Sequence, residues 1–518
     1  MRAKKNSVVG LFAAMNVIAL VTVMAPRALA DSPTPVVVQG GTTPVDSGLY
    51  AAVIQPGFEA QYPQYDLQYV AVGTGQAITN AENGGGDAVF THSPTLEASF
   101  VSNGYSDESG GRNIMTSDFV TVGFKSDPAH VLKGRPNDVV KAFQEIAAAG
   151  NQHKADFVSR GDQSGTNVKE LAIWALTGIP LNTLGEPGPK GTTSTDSWYH
   201  TTGVGQAENV QTTNECPFSS GKCYTLVDRG TFNNLVTEGD VPNLEIVSQN
   251  NNGPRALGGP SFLLNPYHAY AVNPNKVPTV NLPGALAFLN FLTEPSTQQA
   301  IADFPSASNP AFTPDAYPDV TAKKVPKHAE ATQTITVGGS AVPNYYLDPP
   351  LTGNTIDLIR GDNITDIVAS TTIGSDGGFT LKFSPTLTDD YEVYMPESLD
   401  GELSPNTGFR EPVTVNVGNM TVQGVPTLSI GSISGTSVSV SGTATPSTDR
   451  LNAQVQIQYL RGKKWTKLGS ALPMPNGQPS YSTTVTLPSA GTWKLRALYT
   501  DPGAVQSGTS KVSPVTVS

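Results

Sequence analysis

Between residues 31 and 325, short apolar runs alternate with stretches of helical spacing. Val36–Val38, Leu67–Val72, Asp87–Phe90 and Phe119–Phe124 read as strands, the last one apolar on both faces. Ser47–Phe58, Leu96–Val101, Val139–Ala149, Gly284–Leu292 and Thr297–Asp303 carry the spacing of helices. This alternation predicts a parallel or mixed sheet with helices on both faces. In such folds ligands sit beyond the C-terminal ends of the strands. Three donor-rich turns, 40–43, 91–93 and 160–166, each follow a strand, so they are expected to converge on one cleft.

Beyond about residue 325 helical spacing stops. Short alternating strands with Gly, Pro and Asn turns take over. Pro412-Val413-Thr414-Val415 recurs as Pro514-Val515-Thr516-Val517, an offset of 102. At that offset Phe379 maps to Tyr481, Tyr391 to Trp493 and Val393 to Leu495. Two tandem all-β immunoglobulin-like sandwich modules, 330–425 and 426–518, account for the repeat, each about 95 residues long. The repeated aromatic positions are expected in their cores. No donor-rich turn lies in them, so the cleft is expected to be complete before residue 325.

The N-terminus has the grammar of a secretory signal over residues 1–30. Arg2, Lys4 and Lys5 precede an apolar stretch from Val8 to Met24, and Ala28-Leu29-Ala30 forms a small-x-small cleavage site. A secreted chain, periplasmic or extracellular, is expected. No cysteine follows the cleavage site to carry a lipid. Charged residues make up only 14% and the net charge is −12, which argues against nucleic acid as a partner. It does not exclude a small anion, because local donors dominate inside a cleft. The chain has two cysteines, Cys216 and Cys223, and an oxidising compartment makes a disulfide the expected state. With His200 the nearest histidine in sequence, they do not make a metal cage. No metal and no cofactor are expected.

Residues 156–170 carry the most chemistry. Asp156-Phe157-Val158 ends a strand, and helical spacing begins at Asn167. Between them lie Arg160, Gly161, Asp162, Ser164, Gly165 and Thr166. A helix start exposes unpaired N–H groups and a partial positive charge. Glycines admit an anion close to the backbone, hydroxyls add donors, and Arg160 adds a planar charged fork. The same residues also serve as a capped helix with Asp162 or Ser164 as N-cap.

Six segments in order then resemble one family. They are Gly41-Thr42-Thr43 with Asp46-Ser47-Gly48-Leu49; Gly86-Asp87-Ala88-Val89 with His92-Ser93-Pro94; Met115 to Gly123; Ser159 to Thr166; Tyr224 to Thr231; and Asn273-Pro274. The chain resembles the tungstate-binding, periplasmic-binding-protein-like components of ABC importers, relatives of phosphate- and molybdate-binding proteins, over roughly 36–315. The resemblance implies a two-lobed α/β clamshell of type II over 31–325, with interlobe crossings near 123–127 and 272–274. It implies an oxyanion held by Thr42, Thr43, Ser93, Arg160, Ser164, Gly165 and Thr166, with Gly41, His92, Asp162 and Arg229 as further candidates. Gly41 stands where the family has a first threonine, and Pro44 has no N–H to donate. That departure bears on tungstate specificity rather than on anion binding. Closure is expected because only the closed state makes contacts from both lobes.

The implied function is capture of a tetrahedral oxyanion, tungstate first and molybdate or phosphate next, by a monomer that serves an ABC permease. An alternative is a cell-surface adhesin or wall-associated structural protein that reuses the fold, with the β modules attached to the cell envelope. An enzyme is not expected. There is no Gly-x-Ser-x-Gly, no His-Glu-x-x-His and no P-loop. Ser164 with His92 or His200 would be a hydrolase arrangement, but Ser164 sits one position off the elbow pattern. Asp228 and Arg229 are expected to form an ion pair that shapes the second lobe.

Overall fold

The computed structural model describes residues 32–134, 136–184, 196–306, 310–344, 351–399 and 408–518. The export signal expected at 1–30 lies outside the described residues. Among those described, no helix is long and apolar enough to cross a membrane.

The N-terminal half is a mixed sheet with helices on both faces. Its strands are β1 (Thr34–Gly40), β2 (Tyr65–Ala71), β3 (Ala88–Thr91), β4 (Gly111–Phe124), β5 (Asp156–Ser159), β6 (Tyr199–Thr201), β7 (Cys223–Asp228), β8 (Leu244–Ser248) and β9 (Leu264–Ala271). They run in the order β2-β1-β3-β9-β4-β7-β5-β6, and β8 also pairs with β4. β1 is parallel to β2 and β3; β5 is parallel to β6 and β7; within this order β9 and β4 are antiparallel to their neighbours. The strands read from sequence are all present. The single helix expected over Ser47–Phe58 is broken into a short helix at Thr43–Asp46, a wide turn at Tyr50–Ile54 and a helix at Gln55–Gln61. Helices at Thr74–Glu82, Gln206–Glu215 and Arg229–Glu238 add to those expected.

β4 divides the sheet. Arg112–Asp118 pairs with β9, and Phe119–Phe124 pairs with β7 and β8. The apolar cores divide at the same point. Val36, Phe58, Phe90, Tyr267 and Phe288 pack in the first lobe, whereas Phe119, Phe143, Phe157, Trp174 and Leu263 pack in the second. The chain therefore crosses near Asp118–Phe119 and returns near Leu263–Leu264, ahead of the 123–127 and 272–274 expected. The reason is that one long strand serves both lobes, so the crossing falls inside β4 rather than after it. Val272 and Asn273 already bond to first-lobe residues Asp87 and Tyr105.

The C-terminal half is β-rich. Its strand pairings recur: Ile335–Val342 with Gly378–Phe383 and, later, Ser437–Thr445 with Ser480–Thr486, both antiparallel. Gly339 faces Phe379 in the first pair and Gly442 faces Tyr481 in the second. A Cβ at Gly339 would meet the Phe379 ring at 2.4 Å, and one at Gly442 would meet the Tyr481 hydroxyl at 2.6 Å and its ring at 2.8 Å, so both ring positions need glycine opposite. The repeats are not separate. Gln423 pairs with Gln506 to make one 11-stranded sheet, and a single apolar cluster runs from Val320 to Val517. The strand Gly408–Arg410 leaves this half and pairs in parallel with β4 at Gly111 and Arg112.

Candidate functional site

The turn after β5 is built by glycine and a carboxylate. Gly161 has φ +59°, and a Cβ there would lie 2.8 Å from Thr201 Cβ. Ser164 caps the helix Gly165–Thr177 by accepting from the Asn167 amide at 3.3 Å. Asp162 accepts from the Ser164 amide at 3.1 Å and from Arg160 Nη2 at 2.6 Å. Asp162 therefore orients Arg160, and Ser164 is the cap. Arg160 is 4% exposed, and its Nε has no hydrogen-bond partner among the described residues. Such an orphaned buried donor is costly unless something accepts from it.

Glu170 supports this turn from behind. Its carboxylate accepts from Ser159 Oγ at 2.5 Å, Tyr199 Oη at 2.7 Å and Trp174 Nε1 at 3.0 Å. Ser159 Oγ in turn accepts from the Gly161 amide at 3.2 Å. Burial pushes the Glu170 carboxyl up to about 7, against the pull of these donors.

Gln206, the first residue of its helix and 1% exposed, joins the two lobes. Its Nε2 donates to Thr43 Oγ1 of the first lobe at 3.1 Å and to Thr231 Oγ1 of the second at 2.9 Å. Its Oε1 accepts from Thr166 Oγ1 and, at 3.5 Å, from Arg160 Nη1. Thr43, Arg160 and Thr166 thus meet at one carboxamide, which sequence reasoning missed.

His92 wedges between two glycines. A Cβ at Gly41 would lie 2.8 Å from the ring, and one at Gly165 would lie 2.6 Å from it, so both positions need glycine. The ring stacks on Tyr267, with centroids 4.8 Å apart. His92 Nδ1 lies 2.8 Å from Asn265 Oδ1. Asn265 Nδ2 donates to Asp228 and to the Tyr267 hydroxyl, so its oxygen is the acceptor and His92 carries its proton on Nδ1. Burial pushes His92 down to about 4, which keeps it neutral at pH 7. A Cβ at Gly73 would lie 3.5 Å from Ser164 Cα, a further point where the lobes approach each other. Thr74, next to it, is fully buried with an unpartnered hydroxyl. Burial also pushes the Asp46 carboxyl up, opposed by the Thr42 hydroxyl, Arg160 and the Ala207 amide.

Ser93 adjoins His92, and the remaining candidates serve the scaffold. The Ser93 amide donates to Glu97 Oε1 at 2.8 Å, and its residue starts the helix Pro94–Ser102. Arg229 is held bidentately by Asp118, both bonds 2.6 Å, at the crossing in β4. Asp228 instead accepts from the Gly230 amide and Asn265. Cys216 and Cys223 form a disulfide beside Val210 and Phe232, in the core of the second lobe.

A mixed sheet whose lobes share β4, with polar turns from both lobes meeting at strand ends, defines a periplasmic-binding-protein-like domain. The chain belongs to the family of the PBP superfamily domain, which matches residues 29–296. A Haloferax volcanii protein, provisionally named an ABC transporter anion-binding protein, is 38% identical over 275 residues, 53% of this chain and 70% of its own. The tungstate-binding protein TupA of Peptoclostridium acidaminophilum is 32% identical over 277 residues, 53% of this chain and 84% of its own. A crystal structure described as the tungstate ABC transporter from Geobacter sulfurreducens is 34% identical, covering 52% of this chain and 98% of its own, with a TM-score of 0.41. Both sequence relatives carry the names of binding proteins.

Proposed function

We propose that this chain is an exported solute-binding protein that captures a tetrahedral oxyanion between its lobes and presents it to an ABC permease. One observation carries the reading. Thr43 from one lobe and Arg160 and Thr166 from the other converge within hydrogen-bond reach of Gln206, and Arg160 keeps a buried unpartnered Nε. Donors from two lobes around one point suit an acceptor-rich anion and favour closure. The names of the relatives, one anion-binding and one tungstate-binding, support the same class of ligand. In this reading tungstate comes first and molybdate or phosphate next. The ligand set is Thr42, Thr43, Ser93, Arg160, Ser164, Gly165 and Thr166, with Gly41 and His92 shaping its wall.

In this reading residues 31–325 form the binding domain. Residues 330–425 and 426–518 are immunoglobulin-like sandwiches that hold a secreted monomer at the cell envelope. The recurring strand pairs and the matched Gly339–Phe379 and Gly442–Tyr481 contacts support a duplicated module. Isothermal titration with tungstate, molybdate, phosphate and sulfate tests the ligand class. Binding of at least one is expected, and silence with all four rejects the reading. Co-purification with a permease tests the partnership.

A further inference from the structure

The strand Gly408–Arg410 is separated in sequence from the binding domain by a run of β-structure, yet it completes the first lobe's sheet. Gly408 pairs with Gly111 and Phe409 with Arg112 of β4. Arg410 is fully buried, and its Nε and Nη2 donate to the Asp315 carboxylate at 2.9 and 3.0 Å. Asp315, 1% exposed, also accepts from Asn113 Nδ2 at 3.0 Å and Thr116 Oγ1 at 3.3 Å. The Asp315 amide bonds the Ile114 carbonyl, and the Glu411 amide bonds the Ala316 carbonyl. The pair thus clamps β4 over residues 113–116. Two residues further on, Asp118 holds Arg229 at the start of a second-lobe helix.

A second route leads to the cleft. A Cβ at Gly408 would lie 2.1 Å from Asn113 Oδ1 and 2.6 Å from His268 Nε2, so the strand presses on both. His268 is paired with Glu97 at 2.7 Å, both 1% exposed or less. The other Glu97 oxygen accepts from Thr91 Oγ1 and the Ser93 amide, each at 2.8 Å. Those two residues flank His92, which packs on Gly41 and Gly165.

We propose that Arg410 is a positioning residue of the cleft, so that the C-terminal half is part of the binding machinery and the cleft is not complete at residue 325. Its effect on anion affinity rests on the oxyanion-binding reading. Losing Arg410 leaves the Asp315 carboxylate buried with no opposite charge, and β4 must shift or Asp315 must take up a proton. Either change reaches Asn113, Thr116 and the crossing at Asp118.

The test compares Arg410→Met, Arg410→Lys and the charge-balanced pair Arg410→Met/Asp315→Asn in the full chain. Tungstate titration and hydrogen exchange at the Ser93 amide are measured at a temperature where circular dichroism shows each variant folded. Arg410→Met is expected to weaken tungstate binding about ten-fold and to speed Ser93 exchange. Arg410→Lys should fall between it and the parent. If Arg410→Met does not fold, the double variant and Arg410→Lys carry the comparison. Affinity within about two-fold of the parent in folded variants, with unchanged Ser93 exchange, overturns the proposal. If the parent itself binds no oxyanion, the ligand reading fails, and Ser93 exchange alone decides whether Arg410 positions the turn.

Discussion

Gln206 Nε2 donates to Thr43 Oγ1 across the cleft at 3.1 Å, a hydrogen bond between residues of different lobes that are both buried. It makes Gln206 a latch as well as a wall of the site. The same carboxamide accepts from Thr166 and Arg160, so closing the lobes and aiming the second-lobe donors are one event.

Replacing Gln206 by Ala removes this bond and leaves Thr43 and Thr231 short of a partner. A neutral hydrogen bond contributes about 0.5–1.5 kcal/mol, so oxyanion affinity should fall roughly three- to ten-fold. Calorimetric titration checks the affinity, and small-angle scattering should show a larger open fraction. An unchanged affinity would show that Gln206 is a bystander.

Arg160→Ala should cost far more. A buried charge-assisted contact to an anion is worth about 2–5 kcal/mol when one partner is truncated. Asp162, the ion-pair partner, is 18% exposed and can recover some solvation, so thermal unfolding should shift only modestly. Normal binding by a folded Arg160→Ala variant would leave the turn as a capped helix and nothing more.

Glu170 predicts a pH signature. Its carboxyl rises from 4.5 to about 7 on folding, so the folded state binds that proton more tightly than the unfolded chain. The stability tied to it is present below pH 4.5 and is lost as pH rises towards 7. Glu170→Gln should abolish this loss. Its stability relative to the parent should climb over that window by on the order of 3 kcal/mol. Urea unfolding at a series of pH values reads the difference. Asp228, pushed up to about 6 by burial, adds a slope of the same sign in both proteins and cancels in the comparison. A flat difference between the two proteins would place the Glu170 carboxyl in its ordinary range.

The Cys216–Cys223 bridge closes a short loop, with a sequence separation of 7. Loop-closure entropy then limits its contribution to about 2–3 kcal/mol. The double Cys→Ser variant should fold with a lower Tm and bind oxyanion as the parent does. Thiol titration of the unfolded, unreduced protein should find no free thiol.

The turns at 41–43 and 160–166 were readable because their chemistry is local. Glycines, hydroxyls and an arginine between a strand and a helix are adjacent in sequence, as is the Ser164 cap. Gln206 was not readable. Its partners lie 163, 40 and 25 positions away, and nothing beside it in sequence marks it. β4 was read only over Phe119–Phe124, because Asn113, Thr116, Ser117 and Asp118 look like loop residues. They are buried polar residues, and Asp315 and Arg229 bond three of them from distant segments.

The alternation of strands and helices and the donor-rich turn at 160–166 were legible from residues within a turn or two of one another, and the β repeat from matching residues at a fixed offset. Periodicity and capping act over that range, so the chain carries them without its fold. Only the tertiary structure decided that Arg229 binds Asp118, that Gln206 spans the lobes and that Arg410 enters the first lobe to meet Asp315. Each of these is a buried polar group, and a buried polar group takes whichever partner the fold desolvates beside it. That choice depends on how far-apart segments pack, which no local pattern records.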